Sequence, residues 1–124
     1  MNVTEYLSTL PGVVGAAKLN GGSYRIDLAG GGSRLATAAE ILPGLKDERI
    51  TAINVECRAR LLARYGQAEE QVSRAIGVYG AQEQADMQAG IAATIDASNT
   101  ASNAVLAAVD IAAVEAVTVT WPAI

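Results

Sequence analysis

The spacing of apolar residues divides the chain into a front that alternates and a back that follows the helical period. Tyr24, Ile26 and Leu28 alternate with Arg25 and Asp27, the period of a strand with one apolar and one wet face. Val13 to Leu19 and Ser23 to Leu28 flank Asn20-Gly21-Gly22, and Asn-Gly between two strand-like runs is the strongest short-range hairpin signal. Ahead of the hairpin, Asn2 to Leu10 reads as a short helix or arm, capped by Asn2 or Thr4 and stopped before Pro11. Behind it, the glycine triplet of Ala29 to Ser33 reads as a turn or a linker. Arg34 to Leu42 fits either a third strand or a turn or two of helix, and Pro43-Gly44 is expected to end it either way.

From Lys46 onward the period is helical. Ile50, Ile53, Cys57, Leu61 and Tyr65 form one stripe over Lys46 to Tyr65, widened by Leu62, with Glu56 and Arg60 as an i,i+4 pair and Gly66 as C-cap. Gln67 to Tyr79 predicts a second, shorter helix. Ala81 to Val117 follows, rich in Ala, Ser, Thr and Asn, with Ile91, Ile95, Ser98, Ser102, Val105 and Val109 at alternating spacings of four and three. That is the seam of a helix packing lengthwise on another. The stretch is either one helix to about Asp110, which would cap a short continuation through Val117, or a pair folded back near Ser98 to Ser102. The chain closes on β-branched Val117 to Thr120 and then Trp121-Pro122, an extended end with an anchoring indole. The expectation is an α+β chain, mainly α: a hairpin-containing head over residues 1–44, then a helical region over 45–124 with two short helices, a long Ala/Ser-rich helix and the extended end.

Composition sharpens this picture. Of 124 residues 51% are hydrophobic, but much of that share is alanine; Phe is missing and there is one Trp. A core built this way is thin, and thin cores are supplemented by disulfides, metals or association. One cysteine and no histidine leave association. Residues 1–74 carry about +1 and residues 75–124 carry −5 with no base, so a nucleic-acid surface is not expected. No basic-then-apolar leader and no apolar run of ~20 residues is seen, so neither export nor a membrane is expected.

Candidate chemistry is sparse. Acid–base catalysis needs a positioned pair of titratable groups, and Asp86, Asp96 and Asp110 stand too far apart along a helix to converge. Ser98 and Ser102 have no base, Cys57 sits inside an apolar stripe, and the glycine runs lack the Lys-Ser/Thr of a phosphate loop. Asp96-Ala97-Ser98-Asn99 does not follow a Ca²⁺ loop. No catalytic, cofactor or metal residue is therefore assigned, and an enzyme is not expected. Arg58, Arg60 and Arg64 share parts of one helix face, which suits a solvated face, a partner or a small anion.

The run from Ile50 to Tyr65, with Ile53, Glu56, Cys57, Arg60, Leu61 and Leu62 in it, the Gln-containing segment from Gln67 to Tyr79, the Ala-rich helix and the closing Val-Thr-Trp-Pro resemble small tail-associated proteins of tailed bacteriophages over residues 46–122. The resemblance implies a virion component of tail, baseplate or fibre, made in the bacterial host cytoplasm and present in repeated copies, without catalysis. A homo-oligomer is then expected, a trimer in preference, with Ile91, Ile95, Ser98, Ser102, Val105 and Val109 as its seam. Trp121, Tyr24, Arg58 and Arg64 are the candidate docking residues toward other tail proteins. Two alternatives stand beside it: an assembly chaperone for a tail fibre, and a regulatory protein binding a small anion through Arg58, Arg60 and Arg64.

Overall fold

The computed structural model describes residues 1–66 and 80–123. Their order is α1 (Val3–Ser8), β1 (Val13–Lys18), β2 (Tyr24–Leu28), β3 (Ser33–Leu35), α2 (Ala38–Tyr65), α3 (Ala81–Ala107) and α4 (Ile111–Ala116). The chain is thus α+β and mainly helical, with an antiparallel sheet of order β1-β2-β3 at its start. The helix expected over Gln67 to Tyr79 lies outside the described residues. Two compact units can be distinguished, one of Met1–Thr51 with Ala104–Val117 and one of Ala52–Asn103 with Thr118–Ile124.

In the first unit the expected hairpin forms, with Lys18 opposite Tyr24 and Ala16 opposite Ile26. The register shifts between Val13 and Gly15, a bulge that leaves Val14 68% exposed and turns Val13 toward the core. Gly31 and Gly32, both at positive φ, carry the chain from β2 to β3; the triplet is a tight turn, closed by the Gly31 amide donating to the Leu28 carbonyl at 3.0 Å. The inner face of the sheet presents Tyr24 and Ile26 to Val3 and Leu7 of α1 and Ile41 of α2, with Leu45 and Ile111 at the margin. Asn2 caps α1 by accepting from the Glu5 amide at 2.8 Å, as its position suggested.

Arg34 to Leu42 resolves into both of its alternatives, a short strand and a helix start. Pro43-Gly44 does not end that helix, which runs through to Tyr65. Its start is fixed by a reciprocal capping box in which the Glu40 amide donates to Thr37 Oγ1 at 3.2 Å and the Thr37 amide donates to Glu40 Oε1 at 2.9 Å. Arg34 adds two hydrogen bonds to the same carboxylate, at 2.7 and 2.8 Å. Pro43 falls in the second turn, past the orphan amides of the first, so it forfeits one backbone hydrogen bond in a helix already anchored upstream by that box. Gly44 has a separate role. A Cβ at residue 44 would lie 2.9 Å from Tyr6 Cβ and 3.1 Å from Val3 Cα, so its bareness lets α1 rest on α2.

The stretch from Ala81 does not fold back at Ser98 to Ser102; α3 is continuous to Ala107. It ends short of Asp110, where Lys46 Nζ donates to the Leu106 carbonyl at 2.8 Å, a cation on a helix C-terminus. Asp110 then caps α4, accepting from the Ala113 amide at 2.7 Å. Val105 and Val114 from these helices are fully buried.

In the second unit, Ile53, Cys57 and Tyr65 of α2 and Met87, Thr94, Ser98 and Ala101 of α3 are buried. The helices run antiparallel. Ser98 Oγ reaches Asn54 Oδ1 at 3.5 Å, and further along α2 the Cys57 thiol donates to the Thr94 carbonyl at 3.9 Å.

Two outcomes follow. Gly44→Ala gains up to ~1 kcal/mol of helix propensity but overpacks against α1 at a cost of about 1–3 kcal/mol; denaturant midpoints should show a net loss. The Arg34 guanidinium, with the Thr37 amide, holds the Glu40 carboxyl at about 2 against an ordinary 4.5. A depressed carboxylate stabilises the fold above its unfolded pKa and loses that contribution as pH falls through the folded one. Glu40→Gln should therefore flatten the stability of the chain between pH 4.5 and about 2, read by acid titration of the folded signal.

Candidate functional site

The second unit contains a cavity of about 200 Å³, lined by Arg60, Arg64, Tyr65, Asp86, Gly90, Thr94, Pro122 and Ala123. Its residues arrive from three stretches: the last turns of α2, the first half of α3 and the extended C-terminal segment. Helical spacing places Arg60 and Arg64 one turn apart, and Asp86, Gly90 and Thr94 at successive intervals of four along α3.

The two arginines are held differently. Arg60 donates from Nε and Nη2 to Glu56 Oε1 at 3.2 and 3.0 Å, and its guanidinium lies 4.8 Å from the centroid of the Trp121 ring. The extended end thus docks its indole on its own unit through a cation–π contact. Arg64 packs over the neighbouring Tyr65 ring at 5.4 Å and forms no ion pair among the described residues.

Tyr65 is 8% exposed, yet its hydroxyl has no hydrogen-bond partner among the described residues. It lies against Gly90, where any Cβ would overlap the phenolic oxygen. Thr94 turns its hydroxyl back onto the Gly90 carbonyl at 2.8 Å, and Asp86 accepts one hydrogen bond from Gln82 at 2.8 Å. The cavity therefore offers one spare cation and one spare phenol. The remaining oxygens of Asp86 and Thr94 are free to accept.

The expected seam is divided by the structure. Ser98 and Val105 are buried, Ile91 is partly buried, and Ile95 and Val109 are 41% and 84% exposed. Met87, Thr94 and Ala101 take the inward places instead, one residue around the helix from the apolar pattern. Ser102 Oγ is enclosed without a partner among the described residues. Of the docking candidates, Tyr24 is buried in the core of the first unit and reaches the surface only at a shallow pocket, Arg58 is exposed and lies off the cavity, Arg64 lines it, and Trp121 covers Arg60. Sequence reading missed Tyr65, Gly90 and Asp86 as site residues. Gly90, the lone glycine in an otherwise helical stretch, was the available signal.

Among the described residues no three of His, Cys, Asp and Glu group as metal ligands, and no helix is long and apolar enough to cross a membrane. No family model, no curated protein and no solved structure matches the chain.

The geometry at Gly90 makes a specific expectation. Gly90→Ala should destabilise the second unit by about 1–3 kcal/mol through overpacking. Tyr65→Phe alone should cost under ~0.5 kcal/mol, since an unpartnered hydroxyl contributes no hydrogen bond. Combined, the two should show positive coupling in a double-mutant cycle of thermal unfolding, because the phenylalanine ring removes the overlapping oxygen.

Proposed function

We propose that the chain is a non-enzymatic structural component of a tailed-bacteriophage particle, associated with tail, baseplate or fibre, that works by self-association and by docking to other tail proteins. A closed homo-oligomer, a trimer in preference, is the form this reading requires. The observation that carries it is the set of large apolar side chains left in water on helices whose opposite faces are already packed. Val55 and Leu62, seven residues apart on α2, are 63% and 38% exposed, and Ile95 on α3 is 41% exposed. In the first unit Leu106 and Val109 are 61% and 84% exposed. Apolar positions at helical spacing that a chain does not cover itself are those a partner covers. The resemblance of residues 50–65 and of the Trp-Pro end to small phage tail proteins supplies the particle context.

The neighbouring reading, an assembly chaperone for a tail fibre, uses the same faces transiently and leaves the particle. The two diverge in whether the protein stays in purified virions.

Light scattering over a tenfold range of concentration tests the structural reading. The expected result is a concentration-independent trimer or larger closed oligomer, reduced to monomer by Val55→Glu with Leu62→Glu while the helical signal persists. A wild-type monomer with a cooperative melt would overturn it and place the chaperone reading first.

A further inference from the structure

The cavity of the second unit is independent of the assembly reading, and its lining points to a ligand. Tyr65 is more than nine-tenths buried, but its hydroxyl is paired with no described residue. The ring is held in place while the hydroxyl keeps access to the cavity as an unengaged donor. Beside it stands Arg64, the guanidinium of the pair that no carboxylate neutralises among the described residues. Two donors, one cationic and one phenolic, thus face a space of about 200 Å³, several times the ~30 Å³ share of a single water.

The geometry points to a binding site for a small carboxylate that also carries a hydrogen-bond donor, the chemistry of a free amino acid or a hydroxy acid. The planar fork of a guanidinium matches a carboxylate in a bidentate way, and the phenol adds a third donor to the same group. Charge selects against a more highly charged anion. Arg60 is already paired with Glu56, and Asp86 adds a carboxylate to the same lining, so a phosphate dianion meets more repulsion there than a monoanion does. Asp86 keeps one oxygen free of Gln82, and Thr94 keeps acceptor capacity after donating to Gly90; both suit an ammonium or hydroxyl on the ligand. Arg60, clamped between Glu56 and Trp121, forms a wall whose side-chain entropy is already spent. Gly90 is what leaves room for the Tyr65 hydroxyl.

The test is an NMR titration of the full chain with glycine, acetate and inorganic phosphate, following the arginine Nε–H signals and the Gly90 amide. Glycine and acetate should both saturate, with glycine the tighter. Arg64→Gln should weaken both by about tenfold or more and Tyr65→Phe by about fivefold, the range for hydrogen bonds to a charged group. Asp86→Asn should erase the advantage of glycine over acetate. Arg64 is exposed, so its variant keeps the fold, and an unchanged amide spectrum verifies this. Lack of saturation up to about 100 mM, weaker than any affinity of use, would overturn the assignment. So would equal affinity in Arg64→Gln, or phosphate binding more tightly than either carboxylate.

Discussion

The contact between α2 and α3 in the second unit mixes large buried side chains, Ile53, Tyr65 and Met87, with small ones. Cys57, Thr94, Ser98 and Ala101 bury few methyl groups at roughly 25 cal/mol per Å². Enclosed polar atoms there are satisfied locally, Ser102 Oγ being the exception among the described residues. Thr94 bonds back to its own helix, Ser98 reaches Asn54, and the Cys57 thiol finds the Thr94 carbonyl. Gly90 is the extreme among the small residues, a position where no side chain at all is compatible with the Tyr65 ring.

The first unit solves its packing in the ordinary way. Leu7, Ile26, Ile41 and Val3 supply branched bulk over one face of a small sheet, and the helix entering that core is held by a capping box reinforced with a bidentate arginine. There the glycine at residue 44 is a spacer between two helices that carry large side chains elsewhere. In the second unit small residues, Thr94, Ser98 and Ala101, share the interface with Ile53, Tyr65 and Met87. Truncation consequently removes more apolar volume at Ile53 or Met87 than at those small positions.

That difference also decides what was legible in the sequence. Strong hydropathy contrast announced the hairpin, the stripe of α2 and the caps at Asn2, Gly66 and Asp110. Pro43-Gly44 misled because proline was read as a stop, while the Thr37 to Glu40 capping box, which starts the helix upstream of it, was overlooked. Along α3 Ser98 and Val105 are buried, but Thr94 and Ala101 are buried too while Ile95 and Val109 are exposed; the pattern misled there because hydropathy marks the latter pair strongly and the former little. The bulge at Val14 left no trace that a count of apolar residues could find. The cavity is a product of tertiary structure, joining residues from α2, α3 and the C-terminal segment, and only its glycine stands out of pattern.

The two arginines of that cavity show how spacing turns identical side chains into different groups. Arg60 has Glu56 four residues before it and forms the i,i+4 pair that helical geometry favours. Arg64 has Arg60 at the same interval, so the neighbour that would normally stabilise it carries like charge. Stacking on Tyr65 supplies some relief to its charge, but a ring face fills none of the directional donors of a guanidinium. The helix thus carries a cation whose in-helix neighbour opposes it, beside a phenol whose hydroxyl opens on the cavity without a partner among the described residues. An oxyanion between them satisfies both at once, whereas a single water would meet the hydrogen-bonding need and leave the charge uncompensated.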